Sequence, residues 1–94
     1  MRLKWTRTAL ANLSDLAEYI AQDKPRAAVD VVERIVTAID SLKEYPAIGR
    51  PGRVANTREL LVPETSYIVP YRVRGKRLEI LRIIHASRRW PDDF

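Results

Sequence analysis

The sequence predicts an α+β domain in which a helical hairpin packs on one face of a small, mainly antiparallel sheet, in the order β-α-α-β-β-β. Three observations lead there. Two successive stretches space their apolar residues by three and four, a loop dense in Pro and Gly follows, and beyond it the apolar period changes to two. Ninety-four residues suffice for one hydrophobic core and hardly for two, so residues 1–94 are expected to form a single domain.

Arg2 to Trp5 is a short strand candidate, and Thr6 behind it can cap a helix. Ala9, Leu13, Leu16, Ala17 and Ile20 then mark one buried face, and the helix runs to about Gln22. Pro25 suits the first turn of a second helix and holds Lys24 in extended backbone, while Asp23 places a favourable charge near that N-terminus. Ala28, Val31, Val32, Ile35, Ile39 and Leu42 form the second stripe, to about Glu44. Leu13 and Ile35 sit centrally on the two stripes. Two amphipathic helices joined by so tight a turn read as a hairpin.

The segment from Tyr45 to Arg53 carries Pro46, Gly49, Pro51 and Gly52, which ends the second helix and marks a loop. Three strands follow: Arg58 to Val62, Tyr67 to Val73, and Arg77 to His85. In the second of these, Tyr67, Val69, Tyr71 and Val73 alternate with Ile68, Pro70 and Arg72. Gly75, within Arg74-Gly75-Lys76, can take the positive φ that a tight hairpin turn needs. Pro70 cannot donate to a ladder, so a bulge or an unpaired edge is expected near it.

Composition narrows the function. The chain is 46% hydrophobic and 31% charged, as folded domains are. It has no cysteine and one histidine, His85, which excludes disulfides and thiolate metal sites and leaves no ligand set for zinc. Neither a metal nor a cofactor is expected. The apolar runs are too short for a signal-peptide core or a membrane span, so a cytoplasmic location without a membrane partner is expected. No GxxxxGK[ST] pattern accompanies Arg50 and Arg53, so nucleotide hydrolysis is not supported.

The net charge of +5 lies entirely in the second half. Residues 1–49 balance seven Lys/Arg against seven Asp/Glu, whereas residues 50–94 hold ten bases, nine of them Arg, and five acids. Arginine's planar fork matches phosphate and carboxylate, which marks the second half as the binding half. Arg58, Arg72, Arg82, Arg88 and Arg89 are the expected anion-binding set, facing either nucleic-acid phosphate or acidic side chains of a protein. His85 is the one side chain that titrates near neutrality; it serves as general acid or base, or else caps its strand by bonding a backbone group. Tyr67 and Tyr71 share parity with Val69 and Val73, which favours the core over base stacking, and Trp90 is expected to pack the C-terminal segment back onto the domain.

Several short motifs resemble the RelE/ParE toxins. They are Leu3-Lys4-Trp5-Thr6 with Ala9 and Leu13, Tyr45-Pro46 with Ile48-Gly49-Arg50-Pro51, and Arg58-Glu59-Leu60. Tyr67-Ile68-Val69-Pro70-Tyr71-Arg72-Val73, Ile80-Leu81-Arg82-Ile83-Ile84-His85 and Arg88-Arg89-Trp90-Pro91 complete the set. The likeness spans nearly the whole chain. It implies a toxin neutralised by a cognate antitoxin, usually encoded beside it, which meets operator DNA on behalf of both proteins. Members resembling RelE cut mRNA on the ribosome, and members resembling ParE poison DNA gyrase. In the ribonucleases a catalytic arginine tends to follow the first aromatic of the strand equivalent to Tyr67–Val73, and here Ile68 stands there. The resemblance therefore implies a gyrase poison first. The alternatives are a ribosome-dependent endoribonuclease with His85, Arg72 and Arg82 as catalytic residues, and a non-toxic relic that still binds its antitoxin.

Overall fold

The computed structural model describes residues 1–94. In chain order the elements are β1 (Arg2–Trp5), α1 (Arg7–Asp23), α2 (Pro25–Asp40) with a 3-10 turn at Ser41–Lys43, β2 (Arg50–Pro51), β3 (Arg58–Leu61), β4 (Tyr67–Arg74), β5 (Arg77–Ile80) and β6 (Ile84–His85). The sheet order is β1-β5-β4-β3-β2, with β6 also paired to β4. Only the β1–β5 pairing is parallel; the others are antiparallel. No helix is long and apolar enough to cross a membrane.

Thr6 starts α1 as expected, its hydroxyl accepting the Ala9 N–H at 3.1 Å. The same hydroxyl directs its proton at the Ile80 and Leu81 carbonyls, 2.8 and 3.1 Å away, so the cap also fastens α1 to the end of β5. Pro25 opens α2 one residue after α1 closes. Between the hairpin and the sheet lies the core, built from Ala9, Leu16, Ile35, Ile39, Leu42, Val69, Tyr71, Leu78 and Ile80. Ile35 is fully buried as its central place on the stripe implies, but Leu13 is only half-buried. α1 turns Leu16 rather than Leu13 squarely to the core.

Two strand expectations change. The Pro/Gly loop contributes the two-residue strand β2, which pairs with Glu59 and Arg58 of β3. The expected strand from Arg77 to His85 is broken into β5 and β6. Pro70 explains the break. Its carbonyl accepts the Leu81 N–H at 3.0 Å, and in extended backbone a residue's nitrogen points to the same side as its oxygen. The missing N–H of Pro70 therefore faces residues 81–83. β4 itself runs unbroken through Pro70, and the fault expected within or beside it falls in the neighbouring strand. The departing Ile83 N–H is satisfied by the Asn12 side-chain oxygen of α1 at 3.1 Å.

Gly75, at φ +59°, takes the first of the two positions between the paired Arg74 and Arg77, as a type II′ hairpin requires.

Candidate functional site

An open groove of about 840 Å³ runs between α1 and the β6 region. Asn12, Asp15 and Tyr19 form the α1 wall; Arg82, His85, Arg88 and Arg89 form the other, and Tyr67 contributes from β4. The break after β5 borders this space: Leu81 still bonds to the Pro70 carbonyl of β4, whereas the Ile83 N–H turns to Asn12 of α1.

The side chains of Arg82, Arg88 and Arg89 make no hydrogen bond and no ion pair; the one close partner among them is the Phe94 ring, 5.6 Å from the Arg82 guanidinium. Three unpaired guanidiniums against two carboxylates, Asp15 and Asp92, leave the groove net positive and favour an anionic occupant. Burial pushes the Tyr67 hydroxyl above the ordinary tyrosine range, and the neighbouring Arg88 charge opposes that rise. His85 meets Tyr67 edge to face with ring centres 5.2 Å apart. Its Nδ1 accepts the Ser87 N–H at 3.1 Å and lies 2.7 Å from the Ser87 hydroxyl, so the proton of the neutral ring sits on Nε2. His85 thus makes the backbone contact that a strand-end cap would make.

The five arginines do not share one site. Strand alternation separates them: Arg58 pairs with Tyr71 and lies on the helix-covered face, whereas Arg72 lies on the opposite face. Arg58 donates to the Gly49 carbonyl at 2.8 Å and props the Pro/Gly loop. Arg72 is held by Glu79, with Nε 2.7 Å from the carboxylate. Only Arg82, Arg88 and Arg89 converge, and His85 joins them. Tyr71 is fully buried, its hydroxyl donating to the Pro46 carbonyl, which places it in the core. Trp90 folds the last segment back under the Arg53 guanidinium, 3.9 Å from its ring centre.

Ile68 is buried and paired with Leu61 and Ile84, an apolar row on the face away from the helices. Arg72 shares that face but stands four residues along the strand, about 13 Å away at the usual rise.

Sequence reasoning missed the α1 wall of the groove and, outside the groove, the buried carboxylate of Glu59. The α1 wall of the groove could have been found, since Asn12, Asp15 and Tyr19 follow the same three-four spacing on the flank of the apolar stripe. Glu59 could not. Its buried carboxylate accepts from the Arg50 side chain at 2.9 Å and from the Arg53 N–H at 2.8 Å; all three residues stand in or beside motifs quoted for the resemblance, but nothing in those motifs pairs them. Burial alone would raise its pKa, but these hydrogen bonds and the two guanidiniums together hold it below the ordinary carboxylate value.

Comparison with known proteins bears on the fold and the family. The family model described as ParE toxin of type II toxin-antitoxin system, parDE, matches residues 3–90. The chain is 50% identical over 90 residues to putative toxin Y4kP of Sinorhizobium fredii, covering 96% of this chain and 93% of that protein. It is 44% identical over 84 residues to toxin RelE2 of Caulobacter vibrioides, covering 89% and 93%. Among solved structures, one of a chromosomal ParDE system from P. aeruginosa superposes with a TM-score of 0.84 at 34% identity, over 90% of this chain and 95% of that one. A helical hairpin on a mainly antiparallel sheet, with these matches along nearly its whole length, makes this chain a member of the ParE toxin family of type II toxin–antitoxin systems.

Proposed function

We propose that this toxin poisons DNA gyrase and is held inactive by an antitoxin segment whose acidic side chains lie in the groove against Arg82, Arg88 and Arg89. The gyrase reading rests above all on Ile68. Cleavage of RNA by its own 2′-hydroxyl needs a charged group at the phosphate, and removing one such group typically costs a hundredfold or more in rate. Here the position is an isoleucine packed between Leu61 and Ile84. Arg72 does not replace it, because Glu79 already holds its guanidinium.

One observation favours the ribonuclease reading: His85 and three free arginines line the same groove. Purified toxin tested in parallel on gyrase supercoiling and on mRNA in a translating extract separates the two. Inhibited supercoiling with intact mRNA is expected. Ribosome-dependent cleavage that disappears in His85→Ala and Arg82→Ala would overturn the gyrase reading, and inactivity in both assays would leave an antitoxin-binding relic. For the groove itself, Arg88→Glu with Arg89→Glu should weaken the antitoxin at least tenfold, and unchanged affinity would remove it as the antitoxin site.

A further inference from the structure

We propose that the outer face of the sheet, where Arg2, Lys4, Arg72, Arg74 and Arg77 surround Glu79, binds the backbone phosphates of duplex DNA. The strand register builds this surface. Arg2, Arg77 and Arg74 are direct cross-strand partners in one row, and Lys4, Glu79 and Arg72 are partners in the next. Alternation puts both rows on the same face, the one turned away from the helices. Neighbours across strands stand about 4.8 Å apart and the rows about 6.7 Å apart, giving two ranks of bases with one acid among them.

Stability does not account for the arrangement. Like charges directly opposite one another weaken a sheet, and here three arginines stand side by side. Protecting an edge strand from stray pairing explains Arg2 and Lys4 on β1 but not the arginines of β4 and β5, which are interior strands. Glu79 braces more than it neutralises, with Arg72 at 2.7 Å and Arg74 at 3.7 Å on the same carboxylate oxygen, while Arg2, Lys4 and Arg77 have no acidic partner. The fully buried Leu78 and Ile80 fix β5 from the other side, so the charges are carried on rigid backbone.

The character of the face selects the ligand. None of its six side chains is aromatic, so it has nothing on which to stack unpaired bases, and of a nucleic acid it engages the phosphates. A duplex presents the denser phosphate array. The face is separate from the groove and independent of the gyrase reading. It gives the toxin a contact with DNA of its own, beyond any made through an antitoxin.

The test is salt-dependent binding of the free full-length chain to a fluorescent mixed-sequence duplex. Four phosphate contacts give a slope of log affinity against log salt of about −3.6. Arg2→Gln/Arg74→Gln/Arg77→Gln should reduce its magnitude by about 2.7. The charge-matched Arg7→Gln/Lys24→Gln/Arg26→Gln in the helical hairpin should leave the slope near its original value, and Glu79→Gln should tighten binding. Circular dichroism melts verify folding, with Arg2→Gln/Arg74→Gln as the milder variant should the triple one unfold. Equal losses in the two triple variants, no binding at low salt, or tighter binding to the single strand than to the duplex would each overturn the proposal.

Discussion

Gly49 and Tyr71 meet so closely that neither tolerates an alternative. The Gly49 N–H donates to the Tyr71 hydroxyl at 2.9 Å, and a Cβ on Gly49 would lie 2.6 Å from that oxygen and 2.7 Å from the ring. Because the same hydroxyl donates to the Pro46 carbonyl, one buried side chain of β4 fixes the loop that carries β2.

Gly49→Ala should therefore destabilise the fold by about 1–3 kcal/mol through overpacking. Tyr71→Phe should cost about 1–3 kcal/mol by leaving a buried donor and a carbonyl without a partner. Thermal melts check both, and a melting temperature within a degree or two of the parent for either variant would contradict the close contact.

Core substitutions test how the helices are turned. Leu16→Ala and Ile35→Ala should each cost about 2–5 kcal/mol, whereas half-buried Leu13→Ala should cost clearly less. Urea denaturation gives the ranking. Leu13→Ala as damaging as Leu16→Ala would mean that α1 is rotated from the position described.

Acid stability should depend on Glu59 and Glu79. Both carboxyls have folded-state pKa values below the ordinary 4.5, so the folded state binds their protons less readily than the unfolded chain does. Their contribution is present above the unfolded value and is lost as pH falls from about 4.5 through the lower folded values. Urea unfolding between neutrality and strong acid should show this decline, and Glu59→Gln should flatten it while lowering stability at neutral pH. A Glu59→Gln profile parallel to that of the parent would show that this carboxylate contributes nothing to the pH dependence.

Local chemistry made much of this protein legible before any coordinates. Thr6 and Pro25 marked the helix starts because capping and proline preferences act within a turn of the chain. The two apolar stripes and the alternation of Tyr67, Val69 and Tyr71 located the core, since helix and strand periods alone decide which residues share a face. The toxin family followed from motifs strung along the whole length.

What tertiary structure alone decided is which residues of different elements meet. Parity within β4 separates Arg72 from Tyr71, but that Arg58 lies opposite Tyr71, and Arg72 opposite Glu79, depends on strand register. Pro70 warned of a fault, and only the direction of its carbonyl toward Leu81 placed that fault in the adjoining strand. Arg82, Arg88 and Arg89 came together with α1, and Arg2 with Arg77 and Arg74, through contacts spanning most of the chain. Sequence periodicity fixes the face on which a side chain lies; long-range pairing sets its neighbours, and with them its charge environment.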